Sequence, residues 1–347
     1  MTNFCTLFDS NYLTRGLTLY QSLIKTCKEF HLYVITFDDA AYQYLLNSKL
    51  PLLTPIALSD FEDEQLLSIK NTRSPAEYCW TCTPSVILYC IETFGIDQCT
   101  YVDADMIFYQ HPGILLEEDK TASIFITRHN YTKSYDQSEI SGIFCVQFMG
   151  FRNTKDGLEA LRWWRQKCLE WCYAYAEDGK FGDQKYLDDW PSRFKGVHVI
   201  QHPGAGLAPW NVQQYNFSEI NGSPWLKDKN TQASFPVIFY HFHGLKFYTD
   251  NILSLSGTLY EISDTVKRLF YFPYVRMLIS LANDIQKSYP GIKMHGASSR
   301  SPSKQSALKA FIRERLIFIG KGKMSLFRLR NYNFARHYHF HKMDTIN

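Results

Sequence analysis

Thr100-Tyr101-Val102-Asp103-Ala104-Asp105-Met106-Ile107-Phe108 sets two carboxylates inside an apolar and aromatic run. Side chains alternate along an extended strand, so Asp103 and Asp105 are predicted to project from one face of a strand that its neighbours bury. Two buried like charges repel each other and must take up protons or share a counter-ion. A divalent cation held between them is the chemistry this pattern favours over the plainer reading, a solvated turn.

The flanking sequence supplies the context. Val86-Ile87-Leu88-Tyr89-Cys90-Ile91 reads as an apolar helix that breaks at Gly95, and a helix followed by a strand delivers side chains to the carboxyl edge of a doubly wound sheet. Residues 4–8 read as a first strand, Asp9-Ser10-Asn11 as a turn or cap, residues 13–26 as an amphipathic helix and residues 31–37 as a second strand. Strand, helix, strand is the opening of a parallel α/β sheet. Further strands are predicted over 123–127, 142–151, 197–201 and 237–242, the second returning across the active face. A helix over 158–175 carries Trp163, Trp164 and Trp171 as core residues.

A chain of 347 residues with 45% hydrophobic and 16% aromatic content is a packed globular protein, which excludes a disordered one. Nine scattered cysteines include Cys79 and Cys82 but no second Cys-x-x-Cys to complete a zinc site, so reduced, buried thiols are expected. The first residues lack the basic and apolar regions of a secretory signal, and no apolar run reaches membrane-spanning length. The expectation is a cytoplasmic protein, with peripheral contact at the inner face of the membrane.

Charge is unevenly divided. From Lys293 onward 12 Lys and Arg face only Glu314 and Asp344, so this tail carries +10 and residues 1–292 carry −7. The division predicts a mildly acidic body and a basic tail, and because the pattern turns helical beyond about 257, the expected units are a body over 1–256 and a helical, basic region over 257–347. Within the latter, 295–301 reads as a flexible hinge. Residues 304–319 read as a helix with Leu308, Phe311, Ile312, Leu316 and Ile319 on one side, flanked by Lys304, Lys309, Arg313 and Arg315. An anionic membrane surface is the leading partner for such a helix and an oligomer contact the alternative. No nucleic-acid motif accompanies the charge, so no nucleic-acid partner is expected. His337, His339 and His341 are expected to be solvated.

Asp9-Ser10-Asn11-Tyr12 after a first strand, the Asp-Ala-Asp run, Gly182-Asp183-Gln184 and the late His241-Phe242-His243-Gly244-Leu245-Lys246 follow one another in an order that resembles glycosyltransferases of the GT-A fold. The nearest likeness is to glycosyltransferase family 8, which includes glycogenin and lipopolysaccharide galactosyltransferases, and it spans roughly residues 3–250. The resemblance implies a Rossmann-like, mostly parallel sheet flanked by helices. It implies transfer of a sugar from a UDP-sugar donor, with Mn²⁺ or Mg²⁺ bridging the diphosphate to Asp103 and Asp105, to a glycan or lipid-linked saccharide acceptor, with retention, in bacterial surface polysaccharide or lipopolysaccharide synthesis. A protein acceptor, or a non-catalytic module that binds nucleotide sugars or glycans, is the alternative.

The same resemblance distributes roles. Leu7, Phe8, Asp9 and Tyr12 would hold base and ribose, although Asp9 also suits a helix cap; Asp105 would bind the metal directly, and Asp103 the ribose hydroxyls or the metal. Arg73 and Trp80 would approach the donor, and Gly244 and Lys246 would grip phosphate. By the family's His-x-x-Gly spacing His241 would be the metal ligand, but Lys246 falls one residue early for the family and lacks the following Pro-Trp, which leaves the choice between His241 and His243 open. Asp183, with Gln184, would be the catalytic group beside the anomeric carbon, a helix cap being the alternative for Asp183. Trp210 and Asn211, on a Gly- and Pro-rich loop, would stack on and bond to sugar or acceptor. Asp188 is a further substrate contact.

Overall fold

Near-continuous apolar runs make strands that must be covered on both faces, and the first does so from its second residue. In chain order the strands are β1 (Thr2–Phe8), β2 (Phe30–Thr36), β3 (Leu53–Ala57), β4 (Gln98–Val102), β5 (Met106–Phe108), β6 (Ile124–Arg128), β7 (Phe144–Arg152) and β8 (Val197–Val199). All but β5 form one seven-stranded sheet in the order β3-β2-β1-β4-β7-β6-β8. The pairings are parallel except those of β7, which runs antiparallel to β4 and β6. This is the expected α/β architecture, returning strand included. The computed structural model describes residues 1–292, 294–320 and 333–346.

Helices cover both faces. On one, Pro75–Phe94 and Lys155–Glu170 enclose a core containing Cys5, Ile35, Val86, Ile87, Tyr101 and Trp164. On the other, Leu13–Thr26 and Phe272–Ser288 pack against each other over Phe4, Leu32, Val102 and Phe148. The Pro75–Phe94 helix, which feeds the acid pair, is fixed at its start by a reciprocal cap. Ser74 Oγ accepts from Glu77 N while the Glu77 carboxylate accepts from Ser74 N, and Pro75 occupies the first turn, where its missing N–H costs nothing.

Several local expectations are corrected. The tryptophan-bearing helix ends at Glu170, because Trp171 is extended and its side chain bonds Glu177. The stretch 295–301 is fastened rather than hinge-like. His295 stacks on Phe247 with ring centroids 4.0 Å apart and bonds Thr14, while Ser299 and Ser301 bond Thr249 and Asp250. His337 and His339 are fully buried, the first beside Arg315 and the second on the Tyr260 carbonyl, so neither is solvated. His341 is half-buried.

The helix Lys304–Gly320 also presents a different face from the one expected. It buries Ala307, Phe311 and Arg315, and leaves Leu308, Ile312 and Leu316 exposed. Arg315 goes inward because its guanidinium meets the Thr258 and Leu259 carbonyls and Glu314. The side chain of Ile319 lies outside the described residues.

The expected division at residue 256 falls inside a shared core. Leu207, Tyr240, Phe242 and Leu253 pack with Phe270, Tyr271, Tyr274 and Leu278. No helix among the described residues is long and apolar enough to cross a membrane.

Candidate metal and donor site

β4 stops at Val102, so the two aspartates do not share a strand face as expected. They occupy the turn between β4 and β5, because β5 leaves the sheet to pair antiparallel with β12 (Phe239–His241). Between these strands lie β9 (Tyr215–Ile220), β10 (Ser223–Asp228) and β11 (Ser234–Pro236), which form a separate antiparallel sheet.

The register of the small ribbon builds the site. His241 stands opposite Met106, and Phe242 N donates to Asp105 O at 2.9 Å. The imidazole is thereby set beside the acids. His241 Nε2 lies 3.1 Å from Asp105 Oδ1 and 3.7 Å from Asp103 Oδ2, and one ligand atom from each of the three residues falls within 4.8 Å of the others.

Charge in this cluster is organised around the ring. Burial alone would lift the Asp105 carboxyl, but the charge and hydrogen bond of His241 outweigh it and hold it down to about 2. Burial would favour a neutral His241, yet Asp105 and Asp103 hold the ring well above its ordinary value. Asp103, which accepts from Tyr101 Oη at 2.9 Å, is raised by burial against the opposing pull of His241. Two carboxylates and an imidazole are a donor set suited to a hard or borderline divalent cation such as Mg²⁺ or Mn²⁺.

His243 lies outside this three-residue group. Its ring centroid lies 5.6 Å from that of His241, and because only His241 comes within reach of both acids, the geometry favours His241 over His243 as ligand. Gly244 turns the chain with φ +78°, and Lys246 is exposed with its ammonium 5.5 Å from the Tyr248 ring.

At the end of β1, the Leu7 and Phe8 side chains are buried in opposite cores, leaving main chain as what they can offer a ligand. Asp9 accepts from Asn11 Nδ2 at 2.7 Å and makes no side-chain cap to the following turn, which corrects the capping alternative. Tyr12 is exposed, and its phenol is raised first by desolvation and then by the charge of Asp105, with Asp9 and Asp103 contributing.

Asp183 is buried at the same edge. Its carboxyl is pushed up to about 8 by burial and then by the charge of Asp103, while Trp164 Nε1 anchors its carbonyl at 2.8 Å. Asp183 is not a helix cap, since the following short helix, Lys185–Leu187, has Gln184 at that position. Trp80 borders this turn: a Cβ on Gly182 would lie 3.5 Å from its ring.

Other expected contacts are spent elsewhere. Arg73 bonds the Tyr173 hydroxyl and the Leu169 carbonyl. Asp188 accepts from Ile143 N at 2.6 Å and pairs with Lys185 at 2.7 Å. Trp210 and Asn211 are buried, not displayed on a loop tip. Trp210 Nε1 donates to His129 O and its ring packs edge-on against His241, while Asn211 closes its own loop through Ala208 N, Gly206 O and His129 O. Both brace the His241 strand.

Two residues that sequence reasoning left without these roles belong to the site. Gln147, fully buried on β7, bonds His241 Nδ1 through Oε1 at 2.8 Å. Arg15 is buried and forms no ion pair among the described residues; it donates to Leu245 O at 3.1 Å and lies over Tyr12. Each carries a sequence signal: Gln147 is the lone amide in an apolar strand, and Arg15 sits on the buried face of its helix.

No protein-family model matches the chain. The uncharacterized protein YfnD of Bacillus subtilis (strain 168) is 32% identical over 294 residues, 83% of this chain and 92% of that protein. The chain belongs to the YfnD family. A second relative, the uncharacterized YfnF of the same strain, is 30% identical over 256 residues, covering 72% of this chain and 83% of YfnF. Among solved structures, that of galactosyltransferase LgtC in complex with donor and acceptor sugar analogs is similar at 13% identity. Its TM-score is 0.44, and the match covers 70% of this YfnD-family chain and 87% of LgtC.

Proposed function

We propose that this YfnD-family protein is a metal-dependent glycosyltransferase that moves a sugar from a nucleoside-diphosphate donor to a hydroxyl acceptor. The observation that carries the reading is the convergence of Asp103, Asp105 and His241, delivered by separate segments to one point at the edge where β1 and β4 end. Open α/β sheets bind nucleotides at that edge. A bound Mg²⁺ or Mn²⁺ would neutralise the departing diphosphate, with these three residues as its ligands.

The remaining groups take the roles their positions support. Tyr12 and Asp9 face the base and ribose, and Gly244 and Lys246 the phosphates. Asp183, buried and within reach of the Asp103 charge, serves the reacting carbon together with Gln184. The motif order supports a UDP-sugar donor, retention and a glycan or lipid-linked acceptor made in the cytoplasm. The exposed Leu308, Ile312 and Leu316, flanked by Lys309 and Arg313, support docking on an anionic membrane.

The test is NMR of purified protein with MnCl₂ and a panel of UDP-sugars. Slow release of UDP from one donor is expected, lost with EDTA and in Asp105→Ala. Binding across the panel without turnover would replace the enzyme by a nucleotide-sugar-binding module.

A further inference from the structure

The two nitrogens of His241 face different chemistry. Nε2 points to Asp103 and Asp105, whereas Nδ1 lies 2.8 Å from Gln147 Oε1. An imidazole that gives Nε2 to a cation must carry its proton on Nδ1, and that proton needs an acceptor. Gln147 supplies a carbonyl oxygen at the right nitrogen. Cys145, two residues earlier on β7, also lies against this ring.

We propose that Gln147 is a positioning residue: its Oε1 accepts Nδ1–H of His241 and so keeps the Nε2 lone pair directed to the point where Asp103 and Asp105 meet. The inference rests on the cation reading above. Three observations support it besides the bond itself. The main-chain carbonyl of Gln147 accepts from Asp103 N at 3.1 Å, so one residue holds two of the three ligand-bearing residues in register. The side chain is fully buried. It is also confined, since a Cβ on Gly206 would come within 2.9 Å of Gln147 Nε2.

The choice of an amide has a physical reason. Partners of metal-bound histidines are commonly carboxylates, carbonyls or water. With Asp103, Asp105 and Asp183 already gathered here, a neutral acceptor orients the ring without adding another negative charge to a buried site.

The test measures cation binding without turnover. MnCl₂ alone is titrated into wild type, Gln147→Leu and Gln147→Glu, with free Mn²⁺ read by electron paramagnetic resonance and folding checked by circular dichroism. Gln147→Leu removes the acceptor at similar volume and is expected to bind Mn²⁺ about 10- to 100-fold more weakly. Gln147→Glu keeps Oε1 and is expected to bind Mn²⁺ more tightly than Gln147→Leu, the bound cation offsetting the added charge. A folded Gln147→Leu that binds like wild type overturns the proposal, as does a Gln147→Glu no better than Leu. Should Gln147→Leu fail to fold, ¹⁵N NMR of histidine-labelled wild type with MgCl₂ decides it: the Nδ1–H tautomer at His241 is expected, and the Nε2–H tautomer overturns the role. Wild type that binds no cation at all overturns the functional reading itself, a different failure.

Discussion

Gly206→Ala tests the Gln147–His241 arrangement from its far side, and Gly222→Ala is its control. Both glycines have left-handed backbones, φ +79° and +74°. Either alanine should therefore cost about 1–2 kcal/mol in backbone strain alone. The surroundings differ. A Cβ on Gly222, in the turn between β9 and β10, meets nothing within 4 Å, whereas one on Gly206 lies 2.9 Å from Gln147 Nε2. Against an optimal contact of about 3.5–4.0 Å, the amide must give way by roughly half an ångström or more. Because Oε1 moves with Nε2, the 2.8 Å bond to His241 is stretched. Thermal melting should fall by a few degrees in both variants. Mn²⁺ affinity should fall about tenfold in Gly206→Ala, equivalent to about 1.4 kcal/mol, and stay unchanged in Gly222→Ala. Equal Mn²⁺ affinities in two folded variants would refute the reasoning.

Three further outcomes follow from the packing. Burial, reinforced for His337 by the Arg315 charge, lowers His337 to about 3 and His339 to about 4. Unfolded histidine takes up its proton near pH 6.5, so the stability these rings retain above that value is lost as pH falls from about 6.5 toward 4, by up to about 2 kcal/mol each at pH 5. Urea melts at pH 7 and pH 5 should show this, and His339→Gln should flatten it. Arg15→Met leaves the Leu245 carbonyl without its buried charged donor and should cost about 1.5–3 kcal/mol; Arg15→Lys, lacking the planar fork, should not restore the loss in the same melts. Ser74→Ala removes the cap of the Pro75–Phe94 helix and should cost about 1 kcal/mol by urea denaturation.

Local pattern made the sheet and the acid pair legible. Alternating strands and amphipathic helices follow from short-range periodicity, and two aspartates in an apolar run stand out because burial there demands a partner. The ribbon joining β5 to β12 was not legible, since pairing between distant segments leaves no local mark. The strand expected to carry both acids therefore ends before the first of them. Trp210 and Asn211 were misplaced for a related reason. A Gly- and Pro-rich loop reads as exposed, yet Asn211 turns its amide inward to satisfy the carbonyls of Gly206 and His129. His337 and His339 read as polar surface until Arg315 and Tyr260, far away in sequence, are seen to occupy their rings' polar edges.

The reversed direction of β7 bears on how the family can diversify. Since β6 runs toward the acid pair and β7 starts there, the whole connection from 129 to 143 turns back at the rim beside Asp103 and Asp105. Insertions or deletions in that connection would remodel the rim while the hydrogen-bonded ladder below, and the Gln147 that it positions, stay in place. Under the proposed function, such changes would let acceptor preference drift between relatives at little expense to Asp103, Asp105 and His241.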